Sequence, residues 1–147
     1  LQGSPHAIAR GVAVGVFAGW FPLFGLQTII GITLAAVLRG NKIAAAAATW
    51  VSNPFTYVPI YTFNFQIGCW ILGSKTLANL GNLTTWDEFM ALSGEVAIAL
   101  FLGCTVVGII SAVIGYGLSL QVVSYLRDRR IQRKLAKTIY HKNDLTP

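Results

Sequence analysis

The chain has 147 residues, of which 54% are hydrophobic and only 11% charged, against about 25% charged in a typical soluble domain. With a mean hydropathy of +0.62, it has too little polar surface to cover a soluble one-domain core, and it is too apolar to be disordered. The class that remains is an integral membrane protein.

Three stretches carry no charge: residues 11–38, 43–74 and 96–126, which are 28, 32 and 31 residues long. About 20 apolar residues cross a bilayer, so each could span. The first is interrupted near its middle by Trp20, Phe21, Pro22, Leu23, Phe24 and Gly25. Proline removes a backbone donor and clashes with the preceding turn, while glycine tolerates angles other residues resist. Two readings stand: a re-entrant hairpin of two half-length helices, or one Pro-kinked span. Ahead of the break, Gly11, Gly15 and Gly19 share one helix face and admit another backbone. The partner is a helix of this chain or of another subunit.

The second stretch repeats the design. Residues 52–59 hold Ser52, Asn53, Pro54, Thr56 and Pro59 in mid-run, and Pro54 follows Pro22 by 32 residues. Paired interrupted segments point to a midplane site in transporters. Polar side chains gather at both breaks, Gln27 and Thr28 at the first and Thr49, Ser52, Asn53, Thr56, Tyr61 and Asn64 at the second. They either satisfy backbone groups freed by the prolines or line a pocket. If they line a pocket, the binding candidates are Gln27, Asn53, Thr56 and Tyr61, with Arg10 and Arg39 attracting an anionic group.

Residues 77–91 contain Thr85 three residues before Glu88, the spacing of a capping box. This predicts a short interfacial helix. The third stretch predicts a further spanning helix, and Cys69 and Cys104 are expected as buried small apolar residues. Beyond residue 120, Val123, Leu126, Ile131, Leu135 and Ile139 alternate with basic residues, predicting a basic amphipathic helix. Seven of the eleven Lys and Arg residues lie after residue 126. The positive-inside rule puts this tail and the Arg39–Lys42 turn in the cytoplasm. The second and third stretches then cross, and the first must enter and return.

No Asp, Glu or His lies deep in an uncharged stretch, where proton relays place them. No nucleophile–base motif, metal-ligand spacing or phosphate loop is present. The expectation is a non-enzyme without metal or cofactor. A tethered basic stripe without a reading module favours lipid over nucleic acid.

Pro5-His6-Ala7-Ile8-Ala9-Arg10-Gly11, Gly15-Val16-Phe17-Ala18-Gly19 and Pro22-Leu23-Phe24-Gly25-Leu26-Gln27, followed by Arg39, Asn41, Thr49, Asn53-Pro54, Thr56, Pro59, Tyr61 and Gly68, resemble the bacterial membrane family called domain of unknown function 2062. The resemblance covers roughly residues 5–120. It implies a small bacterial integral membrane protein and no particular activity. Similar domains joined to glycosyltransferases suggest, by association alone, a lipid carrier or head group as ligand.

The reading is an all-α polytopic membrane protein with two Pro-broken helical segments, re-entrant or spanning, one further transmembrane helix and a basic amphipathic C-terminal helix. Residues 5–120 form the membrane domain and 121–147 a cytoplasmic tail. The functional expectation is a transporter or handler of a lipid-linked or anionic substrate in the bacterial inner or an internal membrane. Its partners would be membrane lipid and either further copies of itself or other membrane subunits. The alternative is a structural or assembly subunit of a larger membrane complex.

Overall fold

A computed structural model describes the backbone of residues 3–73 and 86–143, and side chains over 3–73 and 92–137. All regular structure among the described residues is helical: α1 Pro5–Gly19, α2 Leu26–Val37, α3 Lys42–Ala48 running into a 3-10 turn Thr49–Val51, α4 Tyr57–Leu72 and α5 Trp86–Asn143. Ser4 caps α1 by accepting the Ala7 N–H at 3.1 Å, ahead of Pro5. Asn41 caps α3 by accepting the Ala44 N–H at 2.8 Å. Gly73 closes α4 in the left-handed region, φ 61. These caps satisfy terminal groups that a helix cannot pair internally.

The first stretch is a hairpin. α1 ends as Trp20 and Phe21 donate back to Phe17 and Ala18. The chain turns at Pro22 and Gly25, whose φ of 83 suits glycine. It resumes as α2 and doubles back, so that the Asn41 N–H donates to Ala7 O at 2.7 Å and an Arg10 guanidinium N–H to Arg39 O at 3.1 Å. Arg39 closes this end at φ 53, a conformation non-glycine residues rarely hold.

The glycine face of α1 is occupied within the chain. A Cβ added at Gly11 would strike Asn41, one at Gly15 would strike Ala45, and one at Gly19 would strike Thr49 and Val51. The pairs 11/41, 15/45 and 19/49 keep a constant offset, so α1 and α3 run parallel in close backbone contact. Here the repeat is real packing: two helices enter side by side, and each ends at a break. After the breaks they diverge, α2 returning along α1 and α4 continuing onward.

α5 is the spine. Against α4 it runs antiparallel, with Gly68 on Ala99 and Gly103 on Asn64 so close that neither glycine could carry a Cβ. Against α1 it also runs antiparallel: Gly108 meets Phe17, Gly115 meets Val12 and Val16, Tyr116 bonds His6 at 3.1 Å, and Arg127 donates to Gly3 O at 2.7 Å. α4 and α1 therefore follow one another along α5. The segment Leu92–Lys137 is the one described helix segment long and apolar enough to cross a membrane, by length and composition. Large apolar side chains face outward around the molecule, Phe55 94%, Trp70 81% and Val58 76% exposed.

Two expectations are corrected. The helix containing residues 86–91 is not a short interfacial element but the opening turns of the 58-residue α5; Thr85 and residues 77–84 lie outside the described residues. The tail is not a separate helix either, because α5 passes residues 120 and 121 without a break.

Candidate functional site at the two helix breaks

Among the described residues the buried polar side chains are Gln27, Thr49, Ser52 and Asn64. All lie where the two breaks meet. Ser52 Oγ donates to Gln27 Oε1 across 3.4 Å, joining the second break to α2. Thr28 and Thr49 pair through their hydroxyls at 3.1 Å. Gln27, Thr28 and Ser52 open on a pocket of about 280 Å³ lined also by Gly25, Trp50 and Asn53, with Pro54 and Tyr57 completing it. The N-terminus of α2 borders it, and no side chain caps that terminus.

Asn53 and Thr56 have local work. Asn53 Oδ1 accepts the Phe55 N–H at 3.0 Å, an Asx turn. Thr56 Oγ1 accepts the Asn53 N–H at 2.9 Å, with the Val51 and Asn53 carbonyls each 3.2 Å away to receive its proton. Thus Thr56 shapes the turn, while Asn53 shapes it and also lines the pocket.

A second polar cluster ties the hairpin tip to α4. Tyr61 Oη donates to Phe21 O at 3.3 Å, and Asn64 Nδ2 reaches Trp20 O at 3.3 Å and Cys104 Sγ at 3.2 Å. The Trp20 and Phe21 oxygens are carbonyls that the end of α1 frees. Asn64 is wholly buried, and its Oδ1, like Trp20 Nε1, lacks a hydrogen-bond partner. Phe24 meets Tyr57 edge-on at 4.9 Å, and Tyr57 stacks on Tyr61 at 5.7 Å. Cys69 and Cys104 are both buried and free.

The six candidates thus form two groups. Gln27, Asn53, Thr56 and Tyr61 gather at the breaks. Arg10 and Arg39 stand together at the other end of the hairpin, ~15 Å away by the ten residues of α1 between them. Thr49, Ser52 and Asn64, named in the sequence as polar residues around the second break but not as binding candidates, also belong to the junction. For Asn64 the signal existed: Tyr57, Tyr61, Asn64 and Gly68 recur at spacings of four, three and four, one stripe of α4. Chemically, the pocket offers amide and hydroxyl groups and a helix N-terminus. Its described lining has no carboxylate or imidazole, so it suits hydrogen-bonded recognition rather than proton transfer.

The family model described as uncharacterized protein conserved in bacteria (DUF2062) matches residues 1–132. No curated protein and no solved structure matches the chain.

Proposed function

The chain belongs to that conserved bacterial family, and we propose that it is a small polytopic, non-enzymatic membrane protein that handles a lipid-linked or anionic substrate at the pocket between its two helix breaks. In this reading α1 and α2 form a re-entrant hairpin, α3 and α4 together cross, and α5 crosses back. The tail and the Arg39–Lys42 turn share the cytoplasmic side. The observation that carries it is the convergence of Gln27, Ser52 and Asn53 from two breaks onto one pocket. Gly108 of α5 faces Phe17 and Gly103 faces Asn64, and the uncharged segment centres near residue 111. The junction is then ~5–12 Å from the bilayer centre, inside a half-thickness of ~15 Å. Irregular backbone at that depth is tolerated where protein covers it or it lines a water-filled cavity.

An anionic group suits the α2 terminus through the partial positive charge of a helix N-terminus, although the Gln27 N–H there already donates to Leu23 O at 3.0 Å. Arg10 and Arg39 act at a distance, drawing anions to the cytoplasmic mouth. The assembly alternative loses one support, since α3 fills the glycine face that would have met a foreign helix.

The test is hydration of the pocket. In liposomes, Asn53→Cys and Ser52→Cys are expected to react with a small anionic, membrane-impermeant thiosulfonate. Val113→Cys, on the lipid-facing surface, is expected to stay unreactive, and both native cysteines are buried. If neither break cysteine reacts while the chain stays folded, the junction is dry architecture and the assembly reading takes its place.

A further inference from the structure

A second pocket lies far from the breaks, where the start of α1 meets α5. It measures about 220 Å³ and is lined by Ile8, Val123, Leu126, Arg127 and Arg130. Three aliphatic side chains make its floor and two guanidiniums its rim. Arg127 uses one nitrogen on Gly3 O. Arg129, between them in sequence, is turned onto the Tyr125 ring at 4.7 Å. The Arg130 guanidinium makes no hydrogen bond or ion pair among the described residues. From residue 127 to 137 there are six basic side chains against one acid, Asp128, so the segment that carries the rim is strongly positive.

The position matters as much as the composition. On the α4 side of this pocket α5 is uncharged for 31 residues and exposes Ile109, Ile110, Val113, Ile114, Leu118 and Val122. On the other side the basic residues begin. The pocket straddles that boundary, where lipid phosphates meet acyl chains.

We propose that this groove holds one anionic phospholipid, its phosphate between Arg127 and Arg130 and the first carbons of an acyl chain on Ile8, Val123 and Leu126. Arginine is suited to the phosphate because its planar fork makes paired N–H···O contacts. The floor selects a lipid over a free phosphate, which would leave the aliphatic surface uncovered. The proposal rests on the membrane reading above but not on the substrate pocket at the breaks, which lies at the other end of α1.

The experiment is native mass spectrometry of the full chain in detergent, titrated with phosphatidylglycerol or phosphatidylcholine. One phosphatidylglycerol per chain is expected to bind ahead of any phosphatidylcholine. Arg130→Gln should weaken it about fivefold, and Arg127→Gln with Arg130→Gln about thirtyfold, at ~1 kcal/mol per basic residue near a membrane surface. Arg133→Gln with Lys137→Gln removes the same charge from the exposed tail and should leave that first lipid in place. Circular dichroism checks that the variants keep their helices, and Arg130→Gln spares the Gly3 contact. Equal losses in both double variants would reduce the effect to general charge and overturn the site. So would undiminished binding in Arg130→Gln, or displacement of the lipid by millimolar inorganic phosphate. Recovery of the chain in the soluble fraction without detergent would instead overturn the membrane reading itself.

Discussion

Substituting Gly15 by alanine tests the α1–α3 seam, and the sign of the result is decisive. Alanine in place of glycine within a helix gains ~1 kcal/mol from backbone entropy. If Gly15 faced lipid or open space, Gly15→Ala would therefore stabilise the fold. Instead, a Cβ there would overlap the Ala45 carbonyl oxygen and stand 2.8 Å from Ala48 Cβ. Overpacking of this kind costs ~1–3 kcal/mol. The upper part of that range applies, because a main-chain carbonyl can retreat only if α3 moves with it. The net expectation is a destabilisation of ~1–2 kcal/mol, a five- to thirtyfold fall in the folded-to-unfolded ratio. Reversible unfolding in mixed dodecyl sulfate and dodecyl maltoside micelles, followed by circular dichroism, measures it. Gly117→Ala is the control, since nothing lies within 4 Å of its added Cβ; it should leave stability unchanged or raise it. A Gly15→Ala variant at least as stable as the parent would refute the seam.

Three further outcomes are expected. Asn64→Ala strips Trp20 O of a buried donor and should destabilise by ~1–3 kcal/mol; Asn64→Asp, which removes the Nδ2 donor and buries a carboxyl, should do worse in the same assay. Arg39→Gly relieves a left-handed residue and should stabilise by ~1 kcal/mol, keeping the Arg10 contact because that bond goes to the backbone oxygen. Lys42→Cys and Lys137→Cys, both exposed, should react with an impermeant maleimide from the same side of a sealed vesicle; labelling from opposite sides would overturn the topology.

The helix directions were largely legible in the sequence, because charge and proline act locally. Pro22 and Pro54 end helices wherever the chain goes next, and Arg10, Arg39 and Lys42 mark one end of the hairpin. The glycine spacing announced a close backbone neighbour but not its identity, since a smooth face fits a helix of any chain. The junction was half legible. Gln27, Ser52 and Asn53 all lie beside the breaks, but that Ser52 pairs with Gln27, and Asn64 with Cys104, depends on contacts 25 and 40 residues away in sequence. Arg10 and Arg39 were grouped with the breaks by charge alone, and only the hairpin's length separates them. The unbroken passage of α5 into the tail was hidden because a change in composition marks a change of surroundings, not the end of a helix.

The order in which these contacts can form follows from where they lie along the chain. The α1–α2 hairpin and the seam with α3 involve only residues 3–51, so they can be complete while the ribosome is still making α4. The contacts of α5 cannot: at the junction Asn64 waits for Cys104, along α4 Gly68 waits for Ala99, and at the far end of α1 Gly3 waits for Arg127. Before α5 is made, Asn64 lacks its sulfur partner and Gly68 and Gly3 lack their neighbours. The fold therefore divides into contacts local to residues 3–51 and long-range contacts that only α5 completes, and such late, non-local contacts are where misassembly concentrates.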